Sequence, residues 1–291
     1  MKDTKGEKLF FVFNYFMLCI VGLSCLLPLI HTLSVSLSDA HAVRSGFVSL
    51  WPSGFSLESY KSLISGTPVV RAFQNSLLIT VVGVVLSMVF TVMAAYPLAR
   101  KSFYLRRFLT LAIVFTMLFS GGIIPTFLLI KELGLINSYW SIWLPGLVSA
   151  YNMLVLKSFL ENIPAEIEEA ARIDGCSELG LLTRIVLPLS LPVIAALTLF
   201  YGVHYWNIFM SVLLYIQNVE MHNLTVMVQQ MVNSQSLLIE INKQQPDDLS
   251  DITPEGIKSA GIIVMVLPML IVYPLLQKYF VKGVMIGAIK G

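Results

Sequence analysis

Long stretches without a charged side chain constrain the fold of this sequence more than any other feature. Each of these runs exceeds the roughly 18 apolar residues that a helix needs to cross a hydrocarbon core of about 30 Å. Lipid offers no partner for backbone N–H and C=O groups, so a segment that crosses it must be helical. Six runs lack Asp, Glu, Lys and Arg, and they lie between Lys8 and Asp39, Arg71 and Arg100, Arg107 and Lys131, Glu132 and Lys157, Arg184 and Glu220, and Lys258 and Lys278.

The composition agrees with a chain embedded in a membrane. Charged residues make up 12% of the sequence and the mean hydropathy is +0.80, whereas a soluble domain carries about 25% charged residues. We therefore predict an all-α membrane protein, in which residues 1–291 form a single transmembrane domain. Its six transmembrane helices are predicted over residues 9–37, 72–99, 108–130, 134–156, 187–212 and 259–278.

The distribution of basic residues predicts that both termini are cytoplasmic. With six spans the termini share one side, and a cytoplasmic N-terminus places thirteen of the nineteen Lys and Arg residues inside and six outside. The short loop 100–107 supplies four of the inner ones, and short loops carry most of this signal. Residues 158–188 then lie inside, and residues 211–258 form an external segment. The first apolar run is too long for the 7–15-residue core of a secretory signal, so we expect a retained helix.

Residues 158–188 have the signals of two short helices joined by a turn. Pro164 can begin a helix, because its missing N–H falls among the unsatisfied donors of the first turn. Gly175 can supply the left-handed residue that ends that helix, and Ser177 can cap the second one. Carboxylates in the early turns complement the helix dipole, and the segment has three of them there: Glu166, Glu168 and Glu169.

The string EAARIDGCSELGLLTRIVLP, from Glu169 to Pro188, resembles the EAA loop of ABC importer permeases. The pattern is Glu-Ala-Ala, three residues, Gly, nine residues and Ile-x-Leu-Pro, with a frequent Asp before the Gly. This resemblance implies the type I importer permease fold and a cytoplasmic coupling helix that docks in a separate ATPase subunit. A solvated amphipathic linker is the simpler alternative. The residues expected to couple to the ATPase are Glu166, Glu169, Ala170, Ala171, Asp174, Gly175, Ile185, Leu187 and Pro188.

The wider sequence resembles permeases of the carbohydrate-uptake class. Four stretches are similar to the smaller permease of the maltose importer and closer to permeases for complex oligosaccharides: Pro28–Ser38, Gly46–Pro52, Tyr205–Asn207 and Gln277–Gly291. This implies a multi-pass protein of the bacterial inner membrane that imports oligosaccharides, with acidic ones derived from alginate or pectin left open. Another small solute of the same transporter class is the alternative.

The same resemblance implies the partners of the chain. They are a second, homologous permease, two ATPase subunits that bind ATP and Mg²⁺, and an extracytoplasmic solute-binding protein. The chain itself has no G-x-x-x-x-G-K-[ST] phosphate loop, so no bound cofactor and no catalysis are predicted for it. Its small net charge of +2 gives no reason to expect nucleic acid as a partner.

Aromatic and polar residues in the fourth and fifth spans are candidates for the substrate pathway. Tyr201, His204 and Tyr205 have the spacing of one helix face, and aromatic rings with polar donors suit sugar rings. An aromatic belt at the membrane surface is the alternative, as is hydrogen bonding between helices for the pair in the fourth span. The candidates are Tyr151, Asn152, Tyr201, His204, Tyr205 and Asn207.

Two other classes of function fit the sequence poorly. A secondary transporter usually keeps an ionisable relay at membrane depth, and the charge-free runs contain no carboxylate. An intramembrane enzyme would need a catalytic pair at depth, and H-E-x-x-H is absent. The three cysteines, Cys19, Cys25 and Cys176, form no C-x-x-C pair. We interpret them as small buried side chains and predict neither a metal site nor a disulfide.

Overall fold

The computed structural model describes residues 4–119, 121–242 and 253–288. Within them the regular structure is helical, apart from one antiparallel bridge between Ser38 and Phe55. A π-helical turn, Leu182–Val186, and a 3₁₀ turn, Val219–Met221, accompany the α-helices. The α-helices are α1 Lys5–Ser36, α2 Ala40–Arg44, α3 Glu58–Gly66, α4 Val69–Ala99, α5 Arg106–Leu118, α6 Ile123–Glu132, α7 Trp140–Trp143, α8 Ala150–Glu161, α9 Ala165–Ile173, α10 Glu178–Leu181, α11 Leu187–Leu189, α12 Leu191–Trp206, α13 Met210–Tyr215, α14 Leu224–Asn242 and α15 Pro254–Ala288.

Three helices among the described residues are long and apolar enough to cross a membrane. They cover Gly6–Ser36, Val69–Ala99 and Pro254–Leu275, and they coincide with the first, second and sixth predicted spans. Two bent pairs raise the number to five when each pair counts as one span. These pairs, α5 with α6 and residues 178–189 with α12, lie at the third and fifth predicted spans.

The fourth predicted span, residues 134–156, is not one helix. The four residues of α7 are followed by a turn through Pro145 and Gly146, and α8 begins only at Ala150. The side chain of Ser149 caps α8 by accepting a hydrogen bond from the backbone N–H of Asn152. Helix α8 has 12 residues, which at 1.5 Å per residue is about 18 Å, well short of a hydrocarbon core.

The fifth predicted span is bent by 81° between residues 178–189 and α12. Two prolines account for the interruption, because a proline has no N–H to donate to the carbonyl four residues earlier. Pro188 cannot bond to Arg184 within the π turn, and Pro192 cannot bond to Pro188 across the bend. Pro192 instead lies in the first turn of α12, where a missing N–H costs little.

One compact unit comprises residues up to 70 together with 227–267. Helix α1 begins with a capping box, in which Thr4 and Glu7 satisfy each other's backbone N–H groups. Most side chains of α1 are exposed, as expected of a helix that faces lipid. Cys19 and Cys25 are among them, so the interpretation of these two cysteines as buried side chains is wrong. The small core of this unit includes Leu63 and Ala260.

The second compact unit comprises residues 71–226 and 268–291. One core cluster joins α4 and α8 with the segment that follows α9, through residues such as Leu98, Met153 and Leu181. A second cluster joins α4 and α7 with α12 and includes Ile79 and Tyr205. Helices α4 and α12 contribute to both clusters, so they connect them.

Part of the predicted external segment, residues 211–258, is buried. Val212 in α13 and Ile216 after it are buried in the second core cluster. Leu224 and Val226 at the start of α14 are fully buried as well. The most acidic part of the segment, residues 243–252, lies outside the described residues. The first third of the segment thus packs as core of the second unit, and its external location stays a prediction.

Candidate functional site

Helix α9 and the turn after it have the geometry predicted for the coupling segment. Pro164 occupies the N-cap position of α9, and Gly175 has φ +78°. The N–H of Cys176 donates to the Ala171 carbonyl at 2.9 Å, and the N–H of Gly175 donates to the Arg172 carbonyl at 3.0 Å. These two bonds form a Schellman motif, which needs a left-handed residue at the glycine position.

The second short helix is also confirmed. The side-chain oxygen of Ser177 accepts a hydrogen bond from the backbone N–H of Gly180 at 3.2 Å. Leu181, at the end of α10, is fully buried. The chain continues through the π turn to the Ile-x-Leu-Pro residues, of which Ile185 and Leu187 are half-buried and Pro188 is exposed. The predicted helix, glycine turn and helix are therefore all present.

The two alanines of the Glu-Ala-Ala motif face different ways. Ala171 is buried and packs in the same cluster as Leu160 and Leu181, whereas Ala170 is exposed. Adjacent helical residues lie about 100° apart, so two neighbours cannot share one narrow face. The exposed side of α9 and the turn after it thus presents five of the predicted coupling residues, and Ala171 points into the chain's own core. These five are Glu166, Glu169, Ala170, Asp174 and Gly175.

A buried ion pair that sequence reasoning missed holds α9 against α4. Arg100, directly after α4, donates from its Nη1 to Oε1 of Glu168, and the two side chains are only 16% and 12% exposed. The guanidinium carbon of Arg100 also lies 4.3 Å from the ring centroid of Tyr96. Burial alone would lower the pKa of Arg100, but the hydrogen bond and the charge of Glu168 raise it above its ordinary value. The guanidinium therefore stays charged.

A second, exposed ion pair is connected to the Arg100–Glu168 pair through Tyr96. Nη2 of Arg172 lies 2.7 Å from a carboxylate oxygen of Glu178, and both side chains are more than half exposed. The Tyr96 hydroxyl donates to the other oxygen of Glu178 at 3.1 Å. In the sequence, the basic loop at 100–107 served only as a topology signal, and Glu168 resembled one more solvated acid. A sequence signal for the pairing is absent, because Arg100 and Glu168 are 68 residues apart.

The candidate pathway residues meet in part at one cavity in the second unit. This cavity has a volume of about 450 Å³, within the range of roughly 300–1,000 Å³ typical of small-molecule pockets. Four of the six predicted pathway residues line it. The lining consists of Pro145, Gly146, Val148, Ser149, Tyr151, Asn152, Phe200, Tyr201 and His204.

The lining of this cavity combines aromatic rings with neutral polar groups. The rings of Tyr151 and Phe200 lie 6.5 Å apart between centroids. The Tyr201 hydroxyl accepts a hydrogen bond from the backbone N–H of Ser149 at 2.9 Å and lies 2.7 Å from Oγ1 of Thr91. Tyr201 is therefore held from both sides, by the start of α8 and by α4.

Tyr205 and Asn207 are not part of the lining. Tyr205 is fully buried, its hydroxyl lies 2.9 Å from Oγ of Ser87 in α4, and its ring packs on Gly83. The side-chain amide of Asn207 donates to the Val203 carbonyl at 2.9 Å. The face that was predicted to be shared by three residues of α12 is thus divided. Tyr205 points to α4, His204 reaches the cavity, and Tyr201 both contacts α4 and lines the cavity.

Residues 76–286 match the family described as "binding-protein-dependent transport system inner membrane component". The chain belongs to this family. It is a non-catalytic, multi-pass permease subunit of a binding-protein-dependent ABC importer. The all-helical membrane fold, the permease role and the carbohydrate-uptake resemblance predicted from the sequence are thereby confirmed.

Curated relatives extend over the whole permease. The permease is 40% identical to the polygalacturonan/rhamnogalacturonan transport system permease protein YtcP of Bacillus subtilis. This match covers 98% of the permease and 99% of the relative. The permease is 39% identical to the protein LplC of the same organism, over 100% and 98% of the two chains. An arabinooligosaccharide permease, AraQ of Halalkalibacterium halodurans, is 28% identical over 91% of each chain.

A solved structure has the same fold as this permease. It is a crystal structure of a bacterial ABC transporter involved in the import of the acidic polysaccharide alginate. The match has a TM-score of 0.87 and 29% sequence identity, and it covers 96% of this chain and 99% of the other. The bent and interrupted helices of the permease therefore belong to the importer fold.

Proposed function

We propose that this permease carries acidic oligosaccharides derived from pectin, such as oligogalacturonides, across the inner membrane. The observation that carries the proposal is the 40% identity, along nearly the whole of both chains, with a permease named for polygalacturonan and rhamnogalacturonan transport. The similarity to an alginate importer structure supports the acidic class, since alginate is also an acidic polysaccharide.

The cavity beside α12 supports a sugar as the substrate. Tyr151 and Phe200 offer aromatic surface on which the C–H faces of a sugar ring can stack. Asn152 and the exposed His204 supply hydrogen-bonding groups for hydroxyls. None of the side chains that line the cavity is a carboxylate, so nothing in the lining repels the carboxylate of a uronic acid.

The coupling segment supports a division of labour with an ATPase. We infer that α9 is the coupling helix and that its exposed side, Glu166, Glu169 and Ala170, docks in a cleft of the ATPase subunit. Two such subunits would bind ATP and Mg²⁺, a second homologous permease would complete the pathway, and a solute-binding protein would deliver the sugar. Both termini and α9 lie in the cytoplasm in this arrangement. Closure of the ATPases then moves α9 as a rigid body, which is a change of interface rather than a chemical step.

An uptake panel tests the substrate class. Cells that depend on this permease for uptake are given radiolabelled trigalacturonate, arabinotriose or maltotriose, and a strain without the permease is the control. We expect permease-dependent uptake of trigalacturonate, with the neutral trisaccharides near the level of the control. Uptake of a neutral trisaccharide alone would assign the permease to neutral oligosaccharides. Uptake of none would favour another solute of the same transporter class.

A further inference from the structure

The pair formed by Arg100 and Glu168 is more buried than any other ion pair described in the structure. Both side chains are more than four-fifths buried, whereas both members of the Arg172–Glu178 pair are mostly exposed. A buried pair of this kind does little for stability when complete, but removal of one partner leaves an uncompensated buried charge. The pair therefore resists separation of the two elements that it joins, the end of α4 and α9.

Helix α4 also contacts the wall of the cavity. Nine residues before Arg100, the hydroxyl of Thr91 lies 2.7 Å from the hydroxyl of Tyr201, which lines the cavity. One turn closer to the N-terminus of α4, the hydroxyl of Ser87 lies 2.9 Å from the hydroxyl of Tyr205. Nine helical residues span about 14 Å. Helix α4 continues through Pro97 to Ala99, so one helix has the coupling helix at its C-terminal end and the cavity wall along its length.

The contacts of Tyr201 extend this connection to the other side of the cavity. Its hydroxyl accepts a hydrogen bond from the N–H of Ser149, the residue that caps α8. Asn152 and Tyr151, at the start of α8, line the same cavity. A displacement of α4 relative to α8 therefore cannot leave both hydrogen bonds of Tyr201 unchanged.

We propose that α4 is the element that transmits ATPase closure to the cavity, and that Arg100 and Glu168 are the positioning residues that oblige α4 to move with α9. In this arrangement Glu168 faces inward to α4, while Glu169 faces the ATPase. The proposal rests on the proposed role of α9 as coupling helix, but it is independent of which sugar is carried. It assigns the two adjacent glutamates opposite tasks.

The test measures movement at the cavity without any sugar. In the full transporter complex the native cysteines are replaced, and Tyr151→Cys places a thiol in the cavity wall. The rate at which a maleimide modifies this thiol is compared before and after ATP and vanadate trap the ATPases closed. The parent complex should show a change in rate of about tenfold, in the range typical of coupled sites. Glu168→Gln should reduce this change to less than about twofold while vanadate still traps nucleotide.

Two further variants separate coupling from folding. Thr91→Val removes the α4 hydroxyl at Tyr201, and the double variant with Glu168→Gln should be no more impaired than Glu168→Gln alone, because both act on one connection. The exchanged pair, Arg100→Glu with Glu168→Arg, restores opposite charges and should recover most of the change in rate. The matched control is Lys157→Gln, which breaks a pair confined to α8 and should behave as the parent.

The outcomes that would overturn the proposal are distinct from failure of the substrate assignment. A full vanadate-dependent change in the assembled Glu168→Gln complex would exclude the pair as a link to the cavity. Additive effects of Glu168→Gln and Thr91→Val would mean that they act independently and would also exclude it. Absence of trigalacturonate uptake by the parent would overturn only the proposed substrate, because the maleimide assay contains no sugar.

Discussion

Tyr201 illustrates how much one hydroxyl group does in this permease. Its oxygen accepts a hydrogen bond from the N–H of Ser149, and its own proton is available to Thr91, 2.7 Å away. Tyr201 is only 2% exposed and Thr91 is fully buried, so water cannot replace the contact between these two hydroxyls. The same side chain thus closes the gap between α4 and the start of α8 and forms part of the cavity wall.

Tyr201→Phe should therefore destabilise the protein. The substitution leaves the fully buried hydroxyl of Thr91 and the partly buried N–H of Ser149 without their partner, and an unsatisfied buried polar group costs about 1–3 kcal/mol. Thermal unfolding of the purified permease measures the loss. Tyr151→Phe is the matched control, because Tyr151 is 55% exposed and should show almost no change. Equal stability of both variants would mean that the Tyr201 hydroxyl contributes nothing.

Gly175 has a similar importance at the end of α9. Its φ of +78° lies where an L-residue with a Cβ pays about 1–2 kcal/mol. Gly175→Ala should therefore lower the thermal stability of the permease and loosen the Schellman motif, which hydrogen exchange at Cys176 would detect. Gly66→Ala is the control, because Gly66 lacks a positive φ and has open space around it. A neutral Gly175→Ala variant would contradict the structural reading of this turn.

At the scale of elements, α4 and α12 are in close contact at Gly83 and Tyr205. A Cβ on Gly83 would lie 2.8 Å from the ring of Tyr205, a separation that side chains do not tolerate. Small residues of this kind let membrane helices approach, since lipid provides no hydrophobic drive to bring them together. The close contact keeps the Ser87 and Thr91 hydroxyls within reach of the two tyrosines.

Gly83→Ala should push α12 away from α4. Overpacking of this kind costs about 1–3 kcal/mol, and we expect a lower unfolding temperature together with reduced uptake. Gly22→Ala provides the comparison, because Gly22 lies in a helix with nothing within 4 Å of its would-be Cβ. That substitution should be neutral or slightly stabilising, since Ala is the better helix former. A neutral Gly83→Ala variant would show that the contact can relax without cost.

Glu169→Lys tests the exposed face of α9. The carboxylate is exposed next to Ala170, and reversal of its charge should weaken the contact with a basic group on the ATPase. We expect the variant to insert in the membrane at normal levels, to lose the ATPase on purification and to show at least about tenfold lower uptake. Glu132→Lys, the same change on α6, should retain the ATPase. Normal uptake by Glu169→Lys would remove the case for α9 as the coupling helix.

The sequence predicts some elements of this fold well and others poorly, for physical reasons. α1, α4 and α15 were predictable because an uninterrupted apolar run of their length has one stable form in lipid. The region 134–156 is equally free of charged residues, and the absence of charge does not reveal that Pro145 and Gly146 turn the chain there. In the coupling segment, local signals at Gly175 and Ser177 sufficed, because caps depend on neighbouring residues alone.

Contacts between distant residues account for what the sequence did not reveal. Glu168 and Glu169 are identical in type, and only the position of α4 decides which one is buried. Tyr205 resembled a pathway residue, but the depth of its burial depends on Gly83 in another helix. Four of the six predicted pathway residues line the cavity, because α8 and α12 are brought together by packing that no single helix encodes.

At the scale of the whole molecule, the distribution of basic residues predicts an orientation in the membrane that thiol labelling can measure. The basic loop 100–107 should lie in the cytoplasm, and the segment after α2 should lie outside. In a cysteine-free background, Ser53→Cys should react with an impermeant maleimide in intact cells. Ser102→Cys should react only after the membrane is opened. Both positions are exposed, so a reversed pattern would mean that the orientation, and with it the site of the coupling helix, is inverted.

The absence of charged side chains from the cavity wall has a consequence for how transporters of this kind could change their substrate. In the proposed sugar pathway, the ring stacking and the amide or hydroxyl contacts offered around Tyr151 and Asn152 would discriminate weakly between a hydroxymethyl and a carboxylate substituent. Selection then falls to the receptor that captures the sugar outside. A bacterium that exchanged only that receptor would gain access to a different plant polymer while keeping this permease unaltered.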